Sequence, residues 1–276
     1  MISTRQYLFA VCLVAAIISS CNGAKKIINL KTPVGEGLSG AAFYQQAAAF
    51  NWQKRDSLAV EAILNGNIPS FLKIFTAIHT RIVDSVQHKE IKATYFVAKD
   101  YLSVGNDKDW ARIPLTPMAA QKIADSLHCF LPTKKMVDDI YKAAKVKLAP
   151  MPMLAFRDST VTMWQHHLIV EGQRKNAKGL IAGIKKDVVL SSKITESGKL
   201  NHEAIYGWHK PDGKPIQPLY VGHINWWVDY SHGIRLIYEK IWVDGKPMQY
   251  TEVLSNPNLK RLLCDEADCS FYRYAY

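Results

Sequence analysis

Helical and strand-like periodicities are segregated along this 276-residue chain, and that segregation constrains its fold more than any other feature. Ala41 to about Leu64 follows a helical pattern, with Leu58, Val60, Ile63 and Leu64 roughly on one face and Gly66 and Pro69 as stops. Thr116 before Pro117 pairs an N-cap with proline at the first helical position, which opens a helix to about Leu127. Thr133 repeats the cap for a helix from Lys134 to about Ala144. Two strands interrupt this half, Phe71 to about Thr80 and Ile91 to Ala98, and Leu102 begins a strand end that runs into a turn. After a helix from about Thr160 to Arg174, strands dominate: Lys185–Leu190, Ala204–Trp208, Leu219–Val228 and Ile234–Val243. Pro211-Asp212-Gly213 and Asp244-Gly245 supply turns, and Asn256-Pro257 opens a last short helix. The order is that of an α+β single domain with helices grouped in the first half and an antiparallel, strand-rich second half. It is not the βαβ alternation of a parallel sheet.

The first residues set the compartment. Arg5 is followed by an apolar run from Tyr7 to Ile18, shorter than the roughly 20 residues that span a bilayer, and then by Ile18-Ser19-Ser20-Cys21. That tetrapeptide resembles the bacterial lipobox, in which small residues admit a signal peptidase just before a cysteine that carries lipid. Residues 1–21 therefore read as a lipoprotein signal peptide and Cys21 as the lipidation site. Residues 22–40 read as a tether and 41–276 as the domain, with Pro150 and Pro152 marking the one internal break, near 150. The expected location is the cell envelope, lipid-anchored to a membrane. A lone Asn22 after the cysteine does not forbid transport outward, so the outer membrane is favoured over the inner.

Removing the leader takes Arg5 and no acid, so the formal charge falls from +11 to +10. A basic exported chain suits an acidic or glycan polymer, peptidoglycan among them, or a charged membrane face. The lysines are scattered, however, with no run of five or six like charges, and a chain outside the cytoplasm is not expected to meet nucleic acid. In an oxidising compartment Cys264 and Cys269 are candidates for a local disulfide. Cys129 is then left over, either as a small buried hydrophobe or as a nucleophile. It follows His128 at a helix C-terminus, where the dipole raises a thiol pKa.

Six of the nine histidines, His166, His167, His202, His209, His223 and His232, lie between positions 166 and 232. The densest segment runs from Gly222 to Leu236. One reading takes His223, Asp229 and His232 as metal ligands, with His209 as a fourth candidate. Nitrogen and carboxylate donors suit zinc, although no His-Glu-x-x-His motif occurs. A second reading needs no metal. It places His209 and His232 as acid/base groups, Asp229 as the group that orients a histidine, and Lys186 and Arg235 as binders of an anionic substrate. Glu171 and Arg174, one helical turn apart, would add to the same cleft. The alternative to both is that the histidines hydrogen-bond among packed aromatics.

Ser231-His232-Gly233-Ile234-Arg235-Leu236 resembles the signature of L,D-transpeptidases, in which Ser-His-Gly precedes a nucleophilic cysteine, an aliphatic residue and arginine. His232, Gly233 and Arg235 match by type once a one-residue gap is allowed, and His223 corresponds to an upstream histidine. Ile234 stands where the cysteine belongs, so the resemblance implies no thiol mechanism. A broader likeness, to a group of uncharacterised exported bacterial proteins, runs through Ile113–Met118, Leu131–Asp138, Lys185–Leu190 and Asp229–Leu236, and implies an intact domain without naming a reaction. The resulting expectation is a hydrolase acting on peptidoglycan or an extracellular polysaccharide through a His/Asp/Lys/Arg-lined cleft. The competing expectation is a non-catalytic binding lipoprotein that offers Trp226 or Trp227 to a glycan or to an envelope protein.

Overall fold

The computed structural model describes residues 23–276 apart from 32, 34–36 and 85–86, so the expected signal peptide and the expected lipidation site, Cys21, lie outside the described residues. The chain begins with β1 (Ala24–Lys26), α1 (Gly40–Ala47), α2 (Trp52–Leu64), β2 (Ile74–Val83), β3 (Glu90–Ala98), β4 (Ser103–Gly105) and β5 (Trp110–Arg112). It continues through α3 (Pro117–Ser126), β6 (Cys129–Phe130), α4 (Lys134–Ala143), β7 (Val146–Lys147), α5 (Thr160–Arg174), β8 (Ile181–Ala182) and β9 (Lys186–Val189). The remainder is α6 (Lys193–Glu196), β10 (Ala204–His209), β11 (Pro215–Tyr220), β12 (His232–Gly233), β13 (Ile237–Tyr238), β14 (Lys240–Val243), β15 (Lys246–Gln249) and α7 (Tyr250–Ser255). This is an α+β fold with helices mostly in the first half.

Two sheets carry it. The larger runs β1-β2-β3-β13-β6, with β14 pairing both β3 and β15. Its spine is the antiparallel pair β2/β3, in register from Phe75↔Ala98 to Val83↔Glu90. The smaller sheet runs β11-β10-β9-β12, antiparallel except for β12 beside β9. Helix α4 packs against β2 and β10 and so bridges the sheets. Its Lys135 donates to Thr80 of β2 at 3.0 Å, while Asp138 accepts from Tyr206 of β10 at 2.8 Å. Phe75, Tyr95, Phe130, Ile237 and Leu263 are among the core residues excluded from water.

Local chemistry sets the element ends. Thr116 and Thr133 accept from the backbone N–H groups of Ala119 and Met136, as N-caps do. The expected helix from Ala41 to Leu64 is two helices, because extended Asn51 caps α2 by accepting from Lys54 N. Part of the expected tether is folded: Ala24–Lys26 pair with Thr76–Ile74, and Ile28 is buried. The two long strands expected over 219–243 are broken into β11, an irregular stretch, and the short β12, β13 and β14. Asp244 and Gly245 form the β14/β15 turn with positive φ, the conformation that the hairpin requires. The expected Cys264–Cys269 disulfide is formed.

Buried charge joins the sheets. Arg235, fully excluded from water, donates to the carbonyls of Ala98 at 2.9 Å and Ile181 at 2.7 Å, and its Nε lies 3.8 Å from Asp187. The sequence expectation that Arg235 binds substrate is therefore corrected: its donors are spent on backbone that has no other access to water. Replacing Arg235 by Leu would strand two carbonyls and the Asp187 carboxylate, which for a broken buried pair costs about 3–5 kcal/mol. Denaturant unfolding of the Arg235→Leu protein is expected to give an unfolding free energy lower by that amount; an unchanged unfolding free energy would contradict the role.

Candidate functional site

Backbone pairing brings three side chains from distant parts of the sequence together. The segment before β10 lies along the segment after β11: Glu203 N donates to His223 O at 3.0 Å, and Asn225 N donates to Asn201 O at 2.8 Å. That short ladder sets Glu203 beside His223. Parallel pairing of β12 with β9 then aligns His232 with Lys186, and Lys186 N donates to Ser231 O at 2.7 Å. Gly233 follows because the ring of Tyr101 and the Lys185 side chain approach so closely that a Cβ there would sit 2.6 Å from both.

The result is a carboxylate between two imidazoles. His232 Nε2 lies 2.9 Å from Glu203 Oε1, and His223 Nδ1 lies 3.4 Å from the same oxygen. Glu203 and His232 are fully buried, while the His223 side chain is 27% exposed and forms the way in. Neither contact is aligned as a hydrogen bond, so both Glu203 oxygens, His223 Nδ1 and His232 Nε2 are buried without a hydrogen-bond partner. Such atoms are uncommon, since an unsatisfied buried polar group costs about 1–3 kcal/mol.

Asp229 supports this centre without entering it. A tight turn has Ser231 N and Oγ donating to Asp229 Oδ1 at 2.8 and 2.5 Å, and Arg157 donating to Oδ2 at 2.5 Å. His232 Nδ1 lies 2.8 Å from Asp229 N, 3.3 Å from its carbonyl and 3.4 Å from Oδ1. Burial works against ionising Asp229, but His232, Ser231 and Lys186 outweigh it and hold the carboxyl well below the usual range. Burial likewise opposes charge on His232, yet Glu203 and Asp229 raise its pKa. The sequence expectation of His223, Asp229 and His232 as one ligand set is thus corrected in one member. Among the described residues the converging set is Glu203, His223 and His232, because the Asp229 carboxylate is already occupied by Ser231 and Arg157.

The other expected residues go elsewhere. The β10/β11 register shifts between Ile205 and Gly207, Gly207 and Trp208 both have positive φ, and His209 beyond them turns to Asp138, with Nε2 3.0 Å from Oδ1 and the ring stacked on Tyr141 at 4.5 Å. His209 lines a separate cavity of about 480 Å³ with Lys147 and Asp212. Lys186 is buried with Nζ over the Trp208 ring at 5.2 Å, and burial lowers its pKa. Glu171 pairs with Arg112 at 2.8 Å. Cys129 is buried, and burial, reinforced by Glu239, pushes its thiol far above the range of a nucleophile. Trp226 and Trp227, with Phe50, Trp52, Arg55 and Asp158, wall a cavity of about 280 Å³. It is reached by the same loop that carries His223 and Asp229.

Glu203 escaped sequence reasoning. It sits at the entry to an apolar strand, 20 and 29 residues from its partners, and nothing local distinguishes it from a capping acid. Compared with known proteins, the chain matches no family model, no curated protein and no solved structure.

Behind the centre, Lys185 is fully buried; its ammonium donates to the Tyr230 carbonyl and lies 3.2 Å from His166 Nδ1. Burial, and then Arg112, lowers its pKa to about 7, and burial lowers that of His166 to about 2. Between pH 7 and 10.5 the unfolded chain holds this lysine's proton and the folded chain does not, so stability rises with pH across that window. At 1.36 kcal/mol per pH unit the rise is on the order of 4 kcal/mol. Unfolding free energies of wild type and Lys185→Met, measured at pH 7 and pH 10, should show this increment in the wild type and lack it in the variant.

Proposed function

We propose that this chain is a lipid-anchored cell-envelope hydrolase that cleaves an amide or ester carried by a glycan polymer, either peptidoglycan or an extracellular polysaccharide. The observation that carries the reading is Glu203, a water-excluded carboxylate with no hydrogen-bond partner between His232 and the partly exposed His223. Burial without a partner keeps such a group available for chemistry. Water at the exposed edge of this centre gives up a proton to it while the water oxygen bonds to the scissile carbonyl carbon. The carbon–nitrogen or carbon–oxygen bond then breaks, and the proton passes to the leaving group. Asp229 fixes His232 from behind, and Arg157, exposed beside Asp229, offers a cation to an anionic substrate.

The aromatic cavity favours a second reading, a binding lipoprotein without catalysis. Trp226 is 45% exposed, and with Trp52 and Trp227 it gives the flat apolar faces on which sugar rings stack. In either case Cys21 anchors the chain, with the outer membrane favoured, and Cys21→Ser is expected to move it from the membrane fraction to the soluble fraction.

The two readings separate in one experiment. Purified protein is incubated with isolated peptidoglycan and with acetylated polysaccharides, and released fragments are identified by mass spectrometry. Hydrolysis predicts product release that falls at least 100-fold in His223→Ala with unfolding midpoint unchanged. Retention on the polymer without product, lost in Trp226→Ala, would replace the enzyme by the binding module.

A further inference from the structure

We infer that Glu203, His223 and His232 form a binding site for a divalent transition metal ion, zinc by the chemistry of its donors. The inference concerns the centre of the hydrolase proposed above, but it rests on geometry alone and stands without any activity.

The first argument is convergence. One carboxylate oxygen and two ring nitrogens lie within 4.8 Å of one another, at 2.9 Å for Glu203–His232 and 3.4 Å for Glu203–His223. Zinc bonds of about 2.0–2.1 Å in a tetrahedron place ligand atoms roughly 3.3 Å apart, so the described spacing needs shifts of only tenths of an ångström around Glu203. The second argument is the missing hydrogen bonds. His223 Nδ1, His232 Nε2 and the Glu203 Oε1 that lies near both are buried without a hydrogen-bond partner, and a cation held among them would supply one. The third is the charge balance: a carboxylate and two neutral imidazoles suit a divalent cation in an interior that would not accept it unpaired.

One tautomer of His232 suits such a site. Metal-bound histidine usually donates its other nitrogen to a carbonyl or carboxylate. A proton on His232 Nδ1 finds the Asp229 carbonyl at 3.3 Å and Oδ1 at 3.4 Å, and that tautomer presents the Nε2 lone pair to the cation. The Asp229 N–H, 2.8 Å from the same nitrogen, favours the opposite tautomer. In that state Nε2 carries the proton toward Glu203 and no metal is held. Three protein ligands with His223 at the surface leave a fourth position for water, the arrangement of catalytic rather than structural zinc. The cation, rather than an imidazole, would then lower the pKa of the attacking water.

The test is metal binding itself. Protein freed of metal with chelator is titrated with zinc, and in parallel with cobalt(II), whose visible absorption reports coordination geometry. Expected are one equivalent of bound metal, a tetrahedral cobalt spectrum, and at least a 100-fold loss of affinity in His223→Ala. Because His223 is at the surface, that variant is expected to keep its circular dichroism and unfolding midpoint; Glu203→Gln is the second variant. His209→Ala should bind as wild type does, which separates this site from the Asp138–His209 pair. Folded wild type that binds no stoichiometric metal, or binding unchanged in both His223→Ala and Glu203→Gln, overturns the inference. Hydrolysis that persists in metal-free protein removes the metal from the reaction while leaving the enzyme; stoichiometric binding without hydrolysis keeps the metal site and removes the enzyme.

Discussion

The Arg235 guanidinium is the contact on which the rest of the structure depends. It reaches from the stretch between β12 and β13 to the last carbonyl of β3 and to a carbonyl of β8, with Asp187 of β9 as its counter-charge and the Tyr101 ring 4.0 Å beneath it. Ala98 belongs to the larger sheet and Asp187 to the smaller. A planar, permanently charged group with several donors can satisfy two carbonyls while its charge faces a carboxylate, which no apolar residue could do. Around it lies a wider buried set in which Arg112 grips Asp100 at 2.6 and 2.8 Å and Tyr101 donates to Asp187 at 2.9 Å. Ion pairs of this kind seldom add much net stability, because desolvation offsets the attraction. Their consequence here is positional: an uncompensated charge would be so costly that only one docking of β9 against β12 and β3 is tolerated.

That docking is what makes the candidate site. His232 belongs to a two-residue strand that would not persist alone, and it is held because β9 pairs with it on one side while Arg235, three residues on, is clamped on the other. Glu203 arrives by a different route, through the ladder with His223 at the head of β10. The carboxylate and the imidazoles are thus set by independent parts of the fold, which is how a centre with unsatisfied atoms can persist. The surrounding strands, not the centre itself, supply the stability.

Much of the secondary structure was legible in the residues. The Thr116 and Thr133 caps marked true helix starts, because a cap is a contact within three residues of its own position. The β2 and β3 strands and the Asp244-Gly245 turn were likewise local. The failures came where tertiary contacts interrupt a continuous apolar pattern. Leu219–Val228 reads as a strand, yet beyond Tyr220 the chain leaves the sheet to present His223 and the two tryptophans. Ile234–Val243 also reads as one strand, but it is cut so that Arg235 and Leu236 can face the interior. The candidate site was half legible: the clustering of histidines pointed to His223 and His232, and proximity in sequence wrongly added Asp229 and His209.

By itself the sequence determined the α+β class, the caps and turns, the Cys264–Cys269 pairing and the segment in which two of the three converging residues lie. Each of these is decided by residues close together along the chain or by a coarse order of periodicities. Only the tertiary structure chose Glu203 as the third residue, turned Arg235 from a surface cation into an interior clamp, and carried His209 to a separate pocket. The physical reason is common to all three. A charged side chain near a strand is worth little in water and a great deal inside a protein, and whether it is inside depends on which distant strands close over it.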